Sequence, residues 1–172
     1  EGDREAAAET QENRLQVRVH RLIQDDIPLR MITRLELSVS GRHREARLGQ
    51  ADTGQFTPMR IDSDLPVKIE TDGTLVAQVR PGKWTIEIVT RHQGPVSELI
   101  LDAVGGFGAD EEIWAFDACR HLRQVAVEGP AQVDPLQTTV PEEWRPYPVY
   151  VMTPKDKMSF VEKKRGDPQP AP

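Results

Sequence analysis

With 172 residues, the chain is long enough for one medium-sized domain with its own hydrophobic core. Its 14 prolines and 12 glycines, beside 37% hydrophobic and 5% aromatic residues, favour short strands joined by turns over long helices. The net charge of −6 argues against a nucleic-acid partner, because neutralising phosphates requires a basic surface. No apolar run approaches the length of about 18 residues that spans a bilayer, so the sequence predicts no membrane-spanning segment.

The chain divides into three parts by composition. Residues 1–14 are polar and acidic and lack an apolar stripe, which predicts a flexible lead-in without a buried face. Residues 15–164 carry the strand patterns of one domain, within which a further boundary near residues 93–111 stays open. Residues 165–172, RGDPQPAP, are typical of a Pro-rich linker.

Two alternating runs open the domain. In LQVRVHRLI, Leu15, Val17 and Val19 alternate with polar residues, which is the period-two pattern of a strand with one buried face. His20 then falls on the solvent side. After a break at QDDIP, the run MITRLELSVSG alternates in the same way. The basic stretch that follows, residues 41–47, is typical of a solvated loop or an edge strand.

The middle of the chain predicts a three-stranded meander. LPVKIE and TLVAQV pair across TDGT, because Asp-Gly readily supplies the positive φ angles of a tight hairpin. Pro81 and Gly82 suit the two central positions of another turn, which returns the chain as the third strand, KWTIEIVTR. In that strand Trp84 lies in line with Ile86 and Ile88, which predicts a ring in the core rather than a ligand platform.

A family resemblance appears in this region. Residues 72–91, DGTLVAQVRPGKWTIEIVTR, resemble the turn, strand, Pro-Gly and aromatic-x-aliphatic-x-Val pattern of carboxypeptidase-regulatory-like and PEGA-type domains, with Trp84 where Tyr is usual. The resemblance implies a small sandwich related to the transthyretin and immunoglobulin-like architectures, of the kind found in extracytoplasmic spacers and adhesive modules. More broadly, the stretch from DIPLRMITRLELSVSG to VEKKRGD is similar to a region near the start of large secreted Gram-negative bacterial proteins. That similarity implies a periplasmic or secreted domain of a longer protein.

The C-terminal third predicts further strands and a long proline-rich loop. In IWAFDA both faces are apolar, with Trp114 and Phe116 opposite two aliphatic neighbours, which indicates a strand central to the packing. ELIL and RQVAV are predicted as strands, and PVYVM and KMSFVEKK as a last strand pair. The proline-rich stretch before PVYVM is predicted to lie over the sheet, with one helical turn at VPEEW.

Aromatic residues of this third are the candidate ligand contacts. Trp144 and Tyr147 lie among prolines in PEEWRPYP, where a loop-borne ring can form a recognition patch. Trp114 is the third candidate. The alternative is that Trp144 and Tyr147 hold the long loop onto the sandwich.

Catalytic and metal-binding patterns are weak. No histidine stands in a motif that joins a nucleophile, a base and an orienting group. The four histidines are His20, His43, His92 and His121.

Cys119, two residues before His121, is predicted to be a buried thiol. The acidic residues 62–64 and 109–112 offer oxygen ligands without the spacing of an EF-hand loop, and the RGD triplet at 165–167 is common by chance. The sequence therefore predicts no catalytic residue, no metal and no cofactor.

These patterns predict an all-β protein, an antiparallel β-sandwich of immunoglobulin-like or Greek-key type. The function they favour is a non-catalytic structural or protein-interaction domain of a larger extracytoplasmic bacterial protein, whose partners are another protein or neighbouring domains of the same polypeptide. One alternative is a carbohydrate-binding module, which binds a glycan and requires Trp144 or Trp114 to be exposed. The other is a hydrolase or metal-dependent enzyme, which requires His92 or His121 beside a carboxylate in a cleft.

Overall fold

The computed structural model describes residues 13–118 and 124–162, and the chain within them is built almost entirely of strands. The strands are β1 (Arg14–Gln24), β2 (Leu29–Ser40), β3 (Arg44–Gln50), β4 (Phe56–Ser63), β5 (Val67–Ile69), β6 (Thr74–Val79), β7 (Gly82–His92), β8 (Glu98–Ile100), β9 (Glu112–Asp117), β10 (Val125–Glu128), β11 (Ala131–Val133), β12 (Val149–Met152) and β13 (Lys157–Glu162). The short helix α1 (Leu101–Val104) and two 3-10 turns, Pro135–Gln137 and Glu142–Trp144, complete the described elements. The all-β prediction is confirmed.

The strands form one large sheet and two small ones. The large sheet, called the main sheet below, has the order β11-β12-β9-β1-β2-β7-β4, and the small sheets have the orders β3-β6-β5 and β10-β13-β8. β1 and β2 form a long hairpin that pairs without interruption from Arg14 opposite Ser40 to Gln24 opposite Arg30. β1 pairs with β9 in parallel, so the main sheet is mixed, whereas the sequence predicted antiparallel pairing. The alternation of apolar and polar residues shows which side chains share a face of a strand, but it does not show whether the neighbouring strand runs parallel or antiparallel.

Both small sheets cover the same face of the main sheet, called the inner face. Successive side chains of a strand point to opposite faces, so Val19 and Ile23 of β1 point the same way. Val19 belongs to a core cluster with Leu75 and Val79 of the first small sheet, and Ile23 belongs to a second cluster with the other small sheet. The second cluster includes Leu99, Trp114, Phe116, Met158 and Phe160. The fold is therefore a sandwich in which two small sheets share one large partner.

The opposite face of the main sheet, called the outer face, is partly covered by the proline-rich residues 134–148. Leu22, Ala115 and Val149 of the sheet pack there against Val140 and Trp144. A 3-10 turn begins at Glu142, directly after Pro141, where the sequence predicted one helical turn. The prediction that this loop lies over the sheet is confirmed.

The predicted meander is wrong in its third strand. β5 and β6 pair as expected, with Val67 opposite Ala77 and Ile69 opposite Leu75. β7, however, lies between β2 and β4 in the main sheet, while β6 stays in a small sheet. The apolar faces of β6 and β7 meet across the sandwich in one core cluster. A Pro-Gly turn and two alternating runs are common to a hairpin and to a crossing between layers, so the pattern could not distinguish them.

Two further strand assignments differ from expectation. The predicted last pair is wrong, because β12 pairs with β9 and β11 whereas β13 pairs with β10 and β8. β4 was not predicted, since FTPMRIDS contains a proline and alternates poorly. It is an edge strand of the main sheet. Part of the basic stretch 41–47 lies in β3, an edge strand of a small sheet, as one of its two interpretations predicted.

Candidate functional site

The aromatic residues predicted as ligand contacts do not form one surface. Trp114 is 0% exposed on the inner face, and its indole Nε1 donates a hydrogen bond to Glu112 Oε1 at 2.8 Å. Trp144 is 4% exposed and lies with the half-buried Tyr147 in the outer-face cluster. The main sheet separates Trp114 from the other two, and the rings of both tryptophans are covered by protein. Trp144 and Tyr147 hold the loop onto the sheet, which is the second of their two predicted roles.

Trp84 lies at the border between core and solvent. Its side chain is partly buried against the core cluster that contains Ile86 and Ile88, as the sequence predicted. Its indole Nε1 donates to the Arg80 carbonyl oxygen at 2.7 Å, and the Arg80 guanidinium lies 4.5 Å from the centre of the ring.

The described histidines do not assemble a catalytic or metal-binding group. His92 packs edge-on against Phe56, with ring centres 5.1 Å apart, and its Nδ1 lies 3.4 Å from the Gly94 carbonyl oxygen. His43 is exposed. Within residues 13–118 and 124–162, no three His, Cys, Asp or Glu side chains come together as metal ligands. Cys119, His121 and the RGD triplet lie outside the described residues.

A buried ion pair that the sequence analysis missed stands at the centre of the inner face. The side chains of Arg21 and Glu112 are each 1% exposed, and Arg21 Nε donates to Glu112 Oε1 at 2.6 Å. Arg21 also donates to Thr33 Oγ1 at 3.1 Å and to the Gly105 carbonyl oxygen. Its guanidinium lies 5.6 Å from the centre of the Phe107 ring. The pair thereby ties residues 104–107 to the main sheet.

The sequence did contain a signal for this ion pair. Arg21 occupies an inward position of the alternation, between Val19 and Ile23. A charged residue at an inward position must find a buried partner, because an unpaired charge inside a protein is costly. Glu112 shares the inward face of β9 with Trp114 and is its partner.

His20 lies on the outer face, as its position in the alternation predicts, but it is 0% exposed because residues 134–148 cover it. The expectation that His20 meets solvent is therefore wrong. Its Nε2 lies 3.0 Å from Thr139 Oγ1, and its Nδ1 has no hydrogen-bond partner among the described residues. Burial, reinforced by the positive charges of Arg18 and Arg34, lowers the pKa of His20 from 6.5 to about 4.

Arg34 fixes the same loop at a second point. Its Nη2 donates to Glu87 Oε2 at 2.9 Å within the main sheet and to Glu143 Oε1 at 3.0 Å in the loop. The guanidinium also lies 5.4 Å from the centre of the Trp144 ring. The contacts of His20 and Arg34 therefore hold residues 139–144 in place on the outer face.

A groove of about 1100 Å³ lies beside the first half of β1. β1 begins at Arg14, but its pairing with β9 begins only at His20, so residues 14–19 have β2 on one side and no described strand on the other. These residues are called the open edge of β1. Residues 108–111 and residues 137–139 also line the groove and are called its walls below, and the lining extends over residues 36–38 of β2 and residues 83–85 of β7.

Each wall is held by contacts already described: those of Arg21 on one side and those of His20 and Arg34 on the other. Arg21 anchors the backbone at Gly105, just before residues 108–111. His20 binds Thr139, and Arg34 binds Glu143, at and just after residues 137–139. The groove is therefore bounded by segments that the folded core positions, and no binding partner is needed to form it.

Comparisons with known proteins give information about the fold of this chain and not about its function. No family model matches the chain, and no curated protein matches its sequence. In three dimensions it is similar to an aminopeptidase N family protein from Idiomarina loihiensis, with a TM-score of 0.51 and 11% sequence identity. The match covers 83% of this chain and 29% of that chain, so the chain spans less than a third of the length of the protein it matches. No described helix has the length and apolar character needed to cross a membrane.

Proposed function

We propose that this chain is a non-catalytic interaction domain of a longer protein and binds a protein partner, or a neighbouring part of its own polypeptide, in the groove beside β1. The observation that carries the proposal is the groove itself, which runs beside residues 15–19, where no described strand pairs with that side of β1. Ready-formed concave sites with both apolar and polar linings are typical of binding surfaces.

The structural similarity supports the modular part of this proposal. In the aminopeptidase N family protein, the matched region is 29% of a longer chain. A fold of this kind thus occurs as a minor part of a larger protein. The extracytoplasmic and bacterial part of the proposal rests on the sequence resemblances alone, as does the relation to carboxypeptidase-regulatory-like and PEGA-type domains.

The two alternatives receive less support from the described residues. A glycan platform needs an exposed aromatic face, whereas Trp114 and Trp144 are buried and Trp84 carries Arg80 on its ring. A hydrolase needs a base beside an orienting carboxylate, whereas the contacts of His92 are Phe56 and the Gly94 carbonyl. The interaction domain is therefore the proposal that we develop.

Selection of peptides from a random display library tests this function. Peptides of about ten residues are long enough to follow the open edge from end to end. They would be selected on the wild-type chain and then measured against a variant that narrows the groove, Glu111→Trp/Gln137→Trp, which places one indole on each wall. The control, Thr57→Trp/Gln93→Trp, adds the same two rings at exposed positions at the other end of the main sheet.

We expect the selected peptides to bind wild type and control alike and to lose at least about tenfold in affinity for the narrowed variant. Circular dichroism and urea unfolding would verify that all three proteins are folded. Failure to select any peptide, or peptides that bind all three proteins equally, would contradict the proposed function.

A further inference from the structure

The open edge of β1 is the longest strand segment in the described part of the chain that pairs on one side only and has neither a bulge nor a proline. Residues 82–85 of β7 also pair with β2 alone, but there are only four of them. β5, β8 and β11 have three residues each, and β10 has four. β3 and β4 are longer, but the register of each is shifted at one position, and Pro58 removes a backbone donor from β4. Short, bulged or proline-containing edges are how sheet proteins prevent unwanted pairing. The open edge has six residues, 14–19, in unbroken register with β2 and without proline.

We propose that the groove binds an extended segment of a partner protein as an added β-strand along residues 14–19. This inference rests on the proposed function and specifies what the groove recognises. The added strand pairs with β1 before His20, on the side where no described strand pairs, and it lies next to residues 108–111 and 137–139. Addition of a peptide strand to an exposed sheet edge is a general mode of peptide recognition.

Backbone chemistry accounts for the affinity. In a strand paired on one side, every second residue directs its N–H and C=O groups to the unpaired side. Beyond the β1–β2 ladder, no backbone–backbone hydrogen bond within the described chain involves residues 15–19, whereas the Arg14 carbonyl oxygen already accepts a hydrogen bond from Arg44 Nη2 at 3.1 Å. These unpaired groups match those of an extended peptide, and six residues of strand span about 20 Å.

Side-chain chemistry accounts for the sequence preference. On the inner side of the edge the partner meets the half-buried Leu15 and Val17 and the wall residue Ala109, which are apolar. On the outer side it meets Gln16, Arg18 and the Thr138 and Thr139 wall, which are polar. Because residues of a strand alternate between faces, we expect a partner segment in which aliphatic and polar residues alternate.

The walls favour a single segment over a second copy of this chain. Two copies can join edge to edge only if both edges can approach each other directly. Here residues 108–111 and residues 137–139 line the space beside each edge, so a second copy would bring two further such segments into the same interface, whereas a single extended segment brings none. A lone strand requires only the width of one strand spacing, about 5 Å.

A backbone scan of a selected peptide tests the inference. Each amide of the peptide would be N-methylated in turn, which removes one donor and leaves the side chains in place. If the peptide is an added strand, methylation at every second position lowers its affinity at least about tenfold, and the intervening positions tolerate the change. NMR of the complex would show cross-strand contacts between the peptide and residues 14–19.

The possible results separate this inference from the proposed function. Peptides that lose affinity for Glu111→Trp/Gln137→Trp but show no two-residue periodicity in the methylation scan would overturn strand addition and leave the interaction domain standing. If no peptide can be selected on the wild-type chain, both strand addition and the proposed interaction function are overturned. Sedimentation of the free chain as a dimer whose 14–19 amides are protected would assign the edge to a second copy and also overturn the inference.

Discussion

The two halves of β1 share one alternating sequence pattern but differ in what surrounds them. Residues 20–23 are all buried, and pairing with β2 and β9 covers both edges from residue 20 to residue 24. Residues 14–18 are exposed or half-buried, and only β2 pairs with them. Each half carries an arginine paired with a glutamate. Arg21 and Glu112 are 2.6 Å apart with 1% of each side chain exposed, whereas Arg18 and Glu36 are 3.7 Å apart with 59% and 37% exposed.

This difference separates the half of the strand that stabilises the fold from the half that we propose binds a partner segment. The second half holds the sandwich together, because Ile23 joins the inner core cluster around Trp114, Leu22 joins the outer-face cluster, and Arg21 binds the Gly105 carbonyl oxygen just before residues 108–111. Residues 14–18 contribute little burial, and no described strand pairs with their second edge. Strand positions with few buried contacts can be used for binding without loss of fold, because they contribute least to global stability.

The largest predicted effect concerns the charge pair of the second half. Glu112→Gln keeps the shape of the side chain but leaves the Arg21 charge buried without an opposite charge, and we expect a loss of about 3–5 kcal/mol in the free energy of unfolding. Glu36→Gln, which removes the exposed partner of Arg18, is the matched control and should cost below about 1 kcal/mol. Urea unfolding followed by tryptophan fluorescence measures both. Equal losses in the two variants would show that the halves do not differ as described.

The next effect concerns His20, at the boundary of the halves. The unfolded chain binds a proton at His20 below about pH 6.5, whereas the folded chain binds it only below about pH 4. The folded state therefore binds fewer protons in this window, and stability falls as the pH is lowered from 6.5 towards 4. His20→Gln removes this titration, so the stability lost between pH 7 and pH 4.5 should be smaller by about 2 kcal/mol in the variant. Identical pH profiles in the two proteins would mean that His20 is not buried as a neutral ring.

The smallest effect compares two valines on the same face of β1. Val19 is 1% exposed, and Val19→Thr buries a hydroxyl that replaces a methyl group, with an expected cost of about 1–2 kcal/mol. Val17 is half-buried at the open edge, so the hydroxyl of Val17→Thr reaches water and the cost should stay below about 0.5 kcal/mol. Chemical denaturation compares the pair directly. A cost for Val17→Thr as large as that for Val19→Thr would indicate that something covers the edge.

Local pattern predicted the strands and their faces well. The alternation in β1 and β2, the Asp-Gly hairpin of β5 and β6 and the two apolar faces of β9 are all present as expected. These features depend on residues that are close together in the sequence, so they can be read from the order of the residues. The loop over the sheet was also predictable, because its prolines exclude a central strand.

Pairing between distant strands was not predictable in the same way. A period of two assigns each side chain to a face but does not name the neighbouring strand, so β7 and β13 were placed beside the wrong partners. The burial of His20 and the Arg21–Glu112 pair depend on segments about 90 to 120 residues away in sequence. The open edge is likewise a product of pairing, since it exists because β9 begins beside the middle of β1.

The central claim is that residues 14–19 of the folded chain have an unpaired edge, and residue-resolved amide hydrogen exchange of the free protein tests it most directly. We predict slow exchange at every amide of residues 21–24, and slow exchange at only alternate amides of residues 14–19, with the intervening ones at least about 100-fold faster. Uniformly slow exchange from residue 14 to residue 24 would contradict the claim, because it would show that the edge is already paired.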